Sequence, residues 1–214
     1  MVKSFVFSPF QENTYVLSDD TGEAVIIDPG CYEQTEKETL ARYIDDNKLT
    51  VKHLLLTHAH LDHVFGCAFV KRKYGVKLYL HERDMVIFND VPVRCQLYGL
   101  RGFEPTEVDE YLHEHDIIKF GNTTLSVIYV PGHAPGHVAF VNQAERYVIS
   151  GDILFRGSIG RTDFPFCSHT DLINSIKTKM YALPDDYTVY AGHMETTTIG
   201  REKRTNPFVT MNDE

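Results

Sequence analysis

The sequence predicts an α+β protein built from two β-sheets packed face to face, with helices on their outer faces. β-rich runs occur in both halves of the 214-residue chain, and each half continues into alternating strands and helices. A composition with 43% hydrophobic and 24% charged residues is that of a globular protein with a large core. Sheets whose strands alternate with helices bury one face against another layer and carry the helices outside. The length predicts one domain covering residues 1–214, or one domain with a short appendage.

The first half of the chain begins with two β-rich runs around "DDTG" (19–22), which predict a hairpin. The turn "DPG" at 28–30 closes this pair. An amphipathic helix over 33–47 follows, because Leu40, Tyr43 and Ile44 are spaced among charges. Further elements are predicted in this order: a buried strand at 51–58, a helix at 63–75, a strand at 76–81 and a short helix at 82–88.

The second half repeats the pattern after an interruption. Residues 89–110 are predicted to be irregular because they contain two prolines and two glycines, Pro92, Gly99, Gly102 and Pro105. The elements predicted after them are strands at 117–120, 124–130, 137–142 and 147–154, a helix at 170–182, a strand at 187–192 and a helix at 197–204.

Charge and composition exclude several functional classes. The formal net charge is −9 with neutral histidines, so nucleic acid is not expected as a partner, because phosphate binding needs clustered Lys and Arg. No segment has the roughly 18 apolar residues of a membrane span, and the N-terminus lacks the features of a signal peptide. The four cysteines are far apart and form no CxxC pair. We therefore predict unpaired thiols and a cytoplasmic location.

The segment "LLLTHAHLDHVFG" (54–66) contains four side chains able to bind a metal within six positions: His58, His60, Asp62 and His63. A strand that turns into a helix would bring them together, with Asp62 and His63 near the helix start. Taken singly, Asp62 is explained equally well as a helix N-cap, and a lone histidine as a solvated loop residue. Three histidines this close repel one another once protonated unless a cation organises them. The segment therefore favours a metal site.

Three more residues of this kind follow predicted strands elsewhere in the chain. His133 lies in "YVPGHAPGH", Asp152 in "VISGDILF" and His193 in "VYAGH". Each comes after a β-rich run and a glycine, so each is expected at a loop end of a rigid sheet. The combined set of histidines and carboxylates suits zinc, iron or manganese.

With the HxHxDH box at 58–63, His133, Asp152 and His193 together, the whole chain resembles the metallo-β-lactamase-fold metallohydrolases. The resemblance implies an αββα sandwich of two mixed β-sheets with helices on the outer faces. It also implies two divalent metal ions. His58, His60 and His133 would bind one ion, Asp62, His63 and His193 the other, and Asp152 would bridge them.

Two stretches, "GDILFRGSIGRTDFP" (151–165) and "TTIGREKRTNPF" (197–208), resemble the short bacterial type II glyoxalases, or hydroxyacylglutathione hydrolases, which lack a separate C-terminal helical domain. This resemblance implies hydrolysis of S-D-lactoylglutathione to glutathione and D-lactate by a metal-bridging hydroxide. Asp62 and Asp152 would be the catalytic carboxylates. Zinc is the first expectation for the metal, with iron or manganese as alternatives.

Two questions stay open at this point. Arg161, Arg201 and Lys203 are the candidates for binding the glutathione conjugate, but a solvated helix face explains the "REKR" run at least as well. A mono-iron persulfide dioxygenase of the same superfamily is the alternative function, with His58, His133 and Asp152 as iron ligands; a hydrolase of another thioester, lactone or ester is a further one. No feature of the sequence indicates an oligomeric state.

Overall fold

The computed structural model describes residues 1–209, which divide into two compact units. Unit 1 comprises Met1–Leu112 and Lys119–Thr124, and unit 2 comprises His113–Ile118 and the chain from Leu125 onward. One six-stranded sheet lies in unit 1, and a second lies mostly in unit 2. The single domain over 1–214 stays a prediction, and its last residues, 210–214, lie outside the described part of the chain.

The sheet of unit 1 is mixed, as predicted. Its strands are β1 Val2–Phe7, β2 Glu12–Ser18, β3 Glu23–Ile27, β4 Thr50–Leu55, β5 Leu78–His81 and β6 Glu110–Leu112, in that spatial order. The first three strands pair antiparallel, and β3 to β6 pair parallel. The carboxyl ends of parallel strands meet at one edge of a sheet, so the residues that follow β3 and β4 come close together.

The helices of unit 1 are α1 Gln34–Asp46, α2 Leu61–Val64, α3 Cys67–Tyr74, a 3₁₀ turn Glu82–Asp84, α4 Met85–Phe88 and α5 Val91–Leu97. A capping box begins α1, because the Glu36 carboxylate accepts the backbone N–H of Glu33 at 2.9 Å. Its Leu40 and Ile44 are buried, as the sequence pattern predicted. The predicted helix at 63–75 is divided into α2 and α3.

Helix α5 contradicts the prediction that residues 89–110 are irregular. Pro92 lies in the first turn of this helix, where a missing N–H costs nothing because the first N–H groups of a helix have no intrahelical partner. The helix ends before Gly99, whose φ of +68° is left-handed. Proline therefore begins an element here rather than interrupting one.

Unit 2 contains most of the second sheet, which is also mixed. Its strands are β7 Ile117–Phe120, β8 Thr123–Tyr129, β9 Val138–Asn142, β10 Tyr147–Gly151, then β13 Thr188–Ala191 and β14 Thr197–Thr198. Their spatial order is β14-β13-β10-β9-β8-β7, with β10 and β13 parallel. A small hairpin consists of β11 Leu154–Phe155 and β12 Ser158–Ile159. The predicted strand at 147–154 is thus interrupted after Gly151, whose φ is +50°.

The helices of unit 2 are α6 His169–Ser175, which continues as a π-helical turn Ile176–Met180, and α7 Ile199–Thr205. Side-chain caps begin both helices. Ser168 accepts the N–H of Asp171, and Thr198 accepts the N–H of Arg201. No helix within residues 1–209 is long and apolar enough to cross a membrane.

Each unit has its own apolar core. In unit 1, Ile26 of β3 and Leu54 of β4 are fully buried together with Leu40 of α1. In unit 2, Val148 of β10 and Val189 of β13 are fully buried with Leu172 of α6. These cores fix the strands whose ends carry the predicted ligands.

Replacing Leu54 by Ala tests the importance of the unit 1 core. Leu54 is fully buried, so Leu54→Ala should lower the free energy of unfolding by about 2–5 kcal/mol through lost burial and a residual cavity. The measurement is chemical denaturation. Lys52→Ala on the same strand is the control, because that side chain is 43% exposed and should cost under about 1 kcal/mol. Equal losses for the two variants would contradict this assignment of the core.

Candidate functional site

The HxHxDH segment begins three residues after β4 and enters helix α2, as the sequence predicted. His60 precedes α2 with an extended backbone, and Asp62 and His63 lie in the first turn. His58, Asp62 and His63 are buried, and His60 is half-buried. The backbone changes from strand β4 to helix α2 between Leu55 and Leu61. This change explains how side chains spaced two residues apart and side chains spaced three apart converge.

The histidines of this segment are in direct contact. The His58 Nε2 and His60 Nδ1 atoms are 3.1 Å apart. The ring centroids of His58 and His63 are separated by 4.1 Å. His63 Nε2 lies 3.9 Å from a carboxylate oxygen of Asp62. Unit 1 therefore brings together all four residues predicted from the motif.

Asp28, at the end of β3, anchors this segment. Its carboxylate accepts the backbone N–H of Thr57 at 2.7 Å and the Thr57 hydroxyl at 2.6 Å. It also lies 3.1 Å from His63 Nδ1. Because a carboxylate only accepts, His63 carries its proton on Nδ1 and its lone pair on Nε2. The backbone of Asp28 has a φ of +50°, which allows its side chain to reach the segment.

The hydroxyl of Thr57 extends the same arrangement to His58. Since Thr57 donates its proton to Asp28, its oxygen is left to accept from His58 Nδ1, at 3.0 Å. His58 thereby presents Nε2 as its lone-pair nitrogen. The ligand-type atoms of Asp28, His58 and His63 all lie within 4.8 Å of one another. Asp28 belongs to the predicted "DPG" turn, and its carboxylate is also a hydrogen-bond partner of His63.

Two further carboxylates near the segment were missed by sequence reasoning. Glu12 of β2 is fully buried 4.0 Å from His63 Nδ1, and burial raises its pKa well above the ordinary value. Asp84 is fully buried and accepts the backbone N–H of Ala59 at 2.7 Å. The sequence signal for Glu12 was its position as a charged residue at the start of the β-rich run that forms β2.

Unit 2 brings its three predicted ligands together around one carboxylate oxygen. His133 Nε2 lies 3.4 Å from Asp152 Oδ2, and His193 Nε2 lies 3.5 Å from the same atom. His133 Nδ1 donates to the backbone carbonyl of Arg161 at 2.8 Å, so its lone pair is on Nε2, facing Asp152. His137 Nε2 accepts the backbone N–H of Asp152 at 3.1 Å.

Gly160, just after β12, allows the backbone to approach both ligands closely. A Cβ atom at this position would lie 1.9 Å from the Asp152 carbonyl oxygen and 3.1 Å from His133 Cγ. The next residue, Arg161, supplies the carbonyl that fixes the His133 ring. The glycine is therefore required by steric contact rather than by a turn.

The histidines of unit 1 have a spacing that fits a divalent metal ion. Two nitrogens bound to one tetrahedral zinc at about 2.0–2.1 Å lie roughly 3.3 Å apart. The 3.1 Å separation of His58 Nε2 and His60 Nδ1 is close to that value. Imidazole nitrogens and carboxylate oxygens suit zinc, iron and manganese alike, so the ligands do not select one metal.

The predicted substrate-binding residues are all engaged in ion pairs. Arg161 forms a bidentate pair with Asp163, at 2.7 Å for both bonds, and its guanidinium stacks on the Phe164 ring. On α7, Lys203 donates to Asp185 at 2.7 Å, and Arg201 lies 3.6 Å from the Glu202 carboxylate.

The chain matches the family model of the metallo-β-lactamase superfamily over residues 7–193. It is 41% identical to the hydroxyacylglutathione hydrolase GloC of Haemophilus influenzae, covering 94% of this chain and 93% of that protein. The chain therefore belongs to the metallo-β-lactamase superfamily and is a metallo-hydrolase of that superfamily.

Two solved structures are similar over nearly the whole chain. The BLEG-1 B3 metallo-β-lactamase is 37% identical, with a TM-score of 0.85 over 98% of this chain and all of that one. The di-iron-bound form of TTHA1623 is 36% identical, with a TM-score of 0.85 over 97% of this chain and all of that one. The predicted fold class, the α+β sandwich of this superfamily, is confirmed.

Replacing Asp28 by Asn tests the anchoring of the HxHxDH segment. An amide replaces one acceptor oxygen by a donor, which faces either the Thr57 backbone N–H or both the His63 Nδ1–H and the Thr57 hydroxyl. Asp28→Asn should therefore weaken zinc binding about 10- to 100-fold, as loss of a ligand's hydrogen-bond partner does. Competition with a chelator measures the affinity. Asp46→Asn, at the exposed end of α1, is the control and should bind zinc normally; a similar loss in that variant would refute the local role of Asp28.

Replacing Gly160 by Ala tests the close backbone approach. Its methyl group would overlap the Asp152 carbonyl. Gly157→Ala should lower the free energy of unfolding by about 1–2 kcal/mol through left-handed strain, and Gly160→Ala should lower it by more. Gly157 is the matched control, because it has φ +70° but open space around its Cβ position. Thermal unfolding of both variants decides. A larger loss for Gly157→Ala would be inconsistent with the steric argument.

Proposed function

We propose that this protein hydrolyses a glutathione thioester, S-D-lactoylglutathione, to glutathione and D-lactate in the cytoplasm. The observation that carries the proposal is the 41% identity, along almost the full length of both chains, to a relative named as a hydroxyacylglutathione hydrolase. The "RGSIGRTDFP" and "TTIGREKRTNPF" stretches support the same branch of the superfamily.

The proposed centre contains two divalent ions, with zinc the first candidate. The hydrogen bonds of three proposed ligands support this proposal, since the Nδ1 atoms of His58, His63 and His133 face acceptors and their lone pairs are therefore on Nε2. The proposed ligands are His58, His60 and His133 for one ion, Asp62, His63 and His193 for the other, and Asp152 for both.

When bound, such ions lower the pKa of coordinated water towards about 7 and polarise the carbonyl that is attacked. The protein's own contribution is to hold the ligands in the required protonation state and orientation. Asp28 and the Arg161 carbonyl do this for His63 and His133. Asp152, held by the His137 contact to its backbone, orients the attacking water, and Asp62 is the second catalytic carboxylate.

The glutathione part of the substrate carries two carboxylates. The protein has cationic side chains just after β12 and on α7. We propose that Arg161, Arg201 and Lys203 bind them. The Arg161–Asp163 pair is exposed, and a surface ion pair is worth only about 0–1 kcal/mol. Exchange of its carboxylate for that of the substrate therefore costs little.

Metal analysis combined with two activity assays tests this function. We expect two metal ions per chain, hydrolysis of lactoylglutathione, and no oxygen uptake with glutathione persulfide. One iron per chain with oxygen uptake and no hydrolysis would favour the persulfide dioxygenase instead. Hydrolysis confined to other thioesters, lactones or esters would keep the reaction class and change the substrate.

Replacing His193 by Ala distinguishes a two-metal hydrolase from a one-iron enzyme. His193→Ala should lower kcat/KM for the thioester by more than the roughly 10- to 100-fold that loss of an outer-sphere partner costs. His169→Ala is the control, because His169 is exposed at the start of α6. Thioesterase kinetics measure the effect. Wild-type kinetics for His193→Ala would argue against the second metal; Asp152→Ala should abolish either activity and cannot distinguish them.

A further inference from the structure

Helix α7 carries a buried acid within its otherwise charged and solvated "REKR" run. Glu202 is fully buried, whereas Arg201 and Arg204, close to it in the sequence, are exposed. A buried carboxylate is costly unless its oxygens are hydrogen-bonded, so this residue has a defined set of donors. Those donors come from three different parts of unit 2.

The Glu202 carboxylate accepts hydrogen bonds on both oxygens. Oε1 accepts the hydroxyl of Thr197 at 2.5 Å. Oε2 accepts the backbone N–H of Gly157 at 2.9 Å and the side-chain amide of Asn206 at 2.9 Å. An ionised carboxylate, which accepts only, matches donors of this kind.

Asn206 completes a second contact with the same hairpin. It is fully buried just after α7, and its side-chain amide also donates to the backbone carbonyl of Ser158 at 3.0 Å. Glu202 and Asn206, four positions apart, thus hold an N–H and a C=O on neighbouring residues of the β11–β12 hairpin. We call this pair of side chains the α7 clamp.

The clamped hairpin leads directly into the residues that contact the predicted ligands. Strand β12 ends at Ile159, and Gly160 follows, donating its N–H to the Ile153 carbonyl at 3.3 Å. The Gly160 backbone lies against Asp152, and the Arg161 carbonyl accepts from His133. A shift of the hairpin therefore moves the groups that orient both ligands.

We propose that Glu202 and Asn206 are positioning residues for His133 and Asp152, acting through the β11–β12 hairpin. This inference rests on the proposed function, because it assumes that those two residues bind metal. The clamp also adjoins a proposed substrate contact, because the Arg201 guanidinium lies 3.6 Å from the Glu202 carboxylate. The clamp alters metal affinity without touching metal or substrate.

Four variants test the clamp. Glu202→Ala removes the acceptor, and Asn206→Ala removes the bond to Ser158 while leaving the Gly157 and Thr197 bonds in place. Glu202→Gln should rescue, since its remaining oxygen accepts from Gly157 and its amide nitrogen donates to the Thr197 hydroxyl, which also accepts. Thr205→Ala is the matched control on the same helix, because that side chain is exposed and, within residues 1–209, donates to the Arg201 carbonyl rather than to the hairpin.

Two readouts are needed, on protein shown by thermal unfolding to be folded. Hydrogen exchange of residues 154–161 in metal-free protein reports the hairpin, and competition with a chelator reports zinc affinity. Glu202→Ala should speed hairpin exchange at least about tenfold, since buried bonds to a charged acceptor are lost. It should weaken zinc binding about tenfold, at the lower end of the effect of outer-sphere residues. Glu202→Gln and Thr205→Ala should resemble the wild type in both.

The outcomes separate this inference from the proposed function. Hairpin exchange or zinc affinity in Glu202→Ala equal to that in Thr205→Ala would overturn the clamp. If Glu202→Ala does not fold, Asn206→Ala decides on the same two readouts. A wild-type protein that binds no zinc, iron or manganese would instead refute the proposed metal centre. A protein that binds zinc but does not cleave lactoylglutathione would refute only the substrate.

Discussion

An imidazole ligates a metal only through the ring nitrogen that carries no proton, and the structure around the predicted ligands depends on this constraint. His63 is held by the carboxylate of Asp28, and His133 by a backbone carbonyl. Both partners accept hydrogen bonds only. Each therefore places the histidine proton on Nδ1 and leaves the Nε2 lone pair to bind a metal ion. The strand ends, the left-handed backbone at Asp28 and the tight approach at Gly160 all position these acceptors.

The parts of the site whose residues are close together in the sequence were predictable. His58, His60, Asp62 and His63 are close together in the chain, and strand β4 before them, whose last residues Leu54 and Leu55 are buried, fixes where they start. The fold class was predictable too, because strand and helix periodicity recurs in both halves. Asp152 was recognisable for the same reason, since it follows a fully buried strand and a glycine.

Other parts depend on contacts between distant segments, which a single sequence does not reveal. Asp84 bonds Ala59 across 25 positions, and Glu202 bonds Gly157 across 45. In sequence these acids are indistinguishable from the solvated charges beside them. Helix α5 differs from the prediction for another reason: proline is typical of irregular segments, but it is also compatible with a first helical turn, as at Pro92.

The left-handed backbone at Asp28 sets the stability of the protein against the orientation of the His63 ring. A residue with a side chain costs about 1–2 kcal/mol in this conformation, and glycine would remove that penalty. Glycine would also remove the carboxylate that holds Thr57 and His63. A glycine at this position would therefore relieve the backbone only by giving up the hydrogen bonds to Thr57 and His63. Thermostable descendants of this protein should keep the strained aspartate.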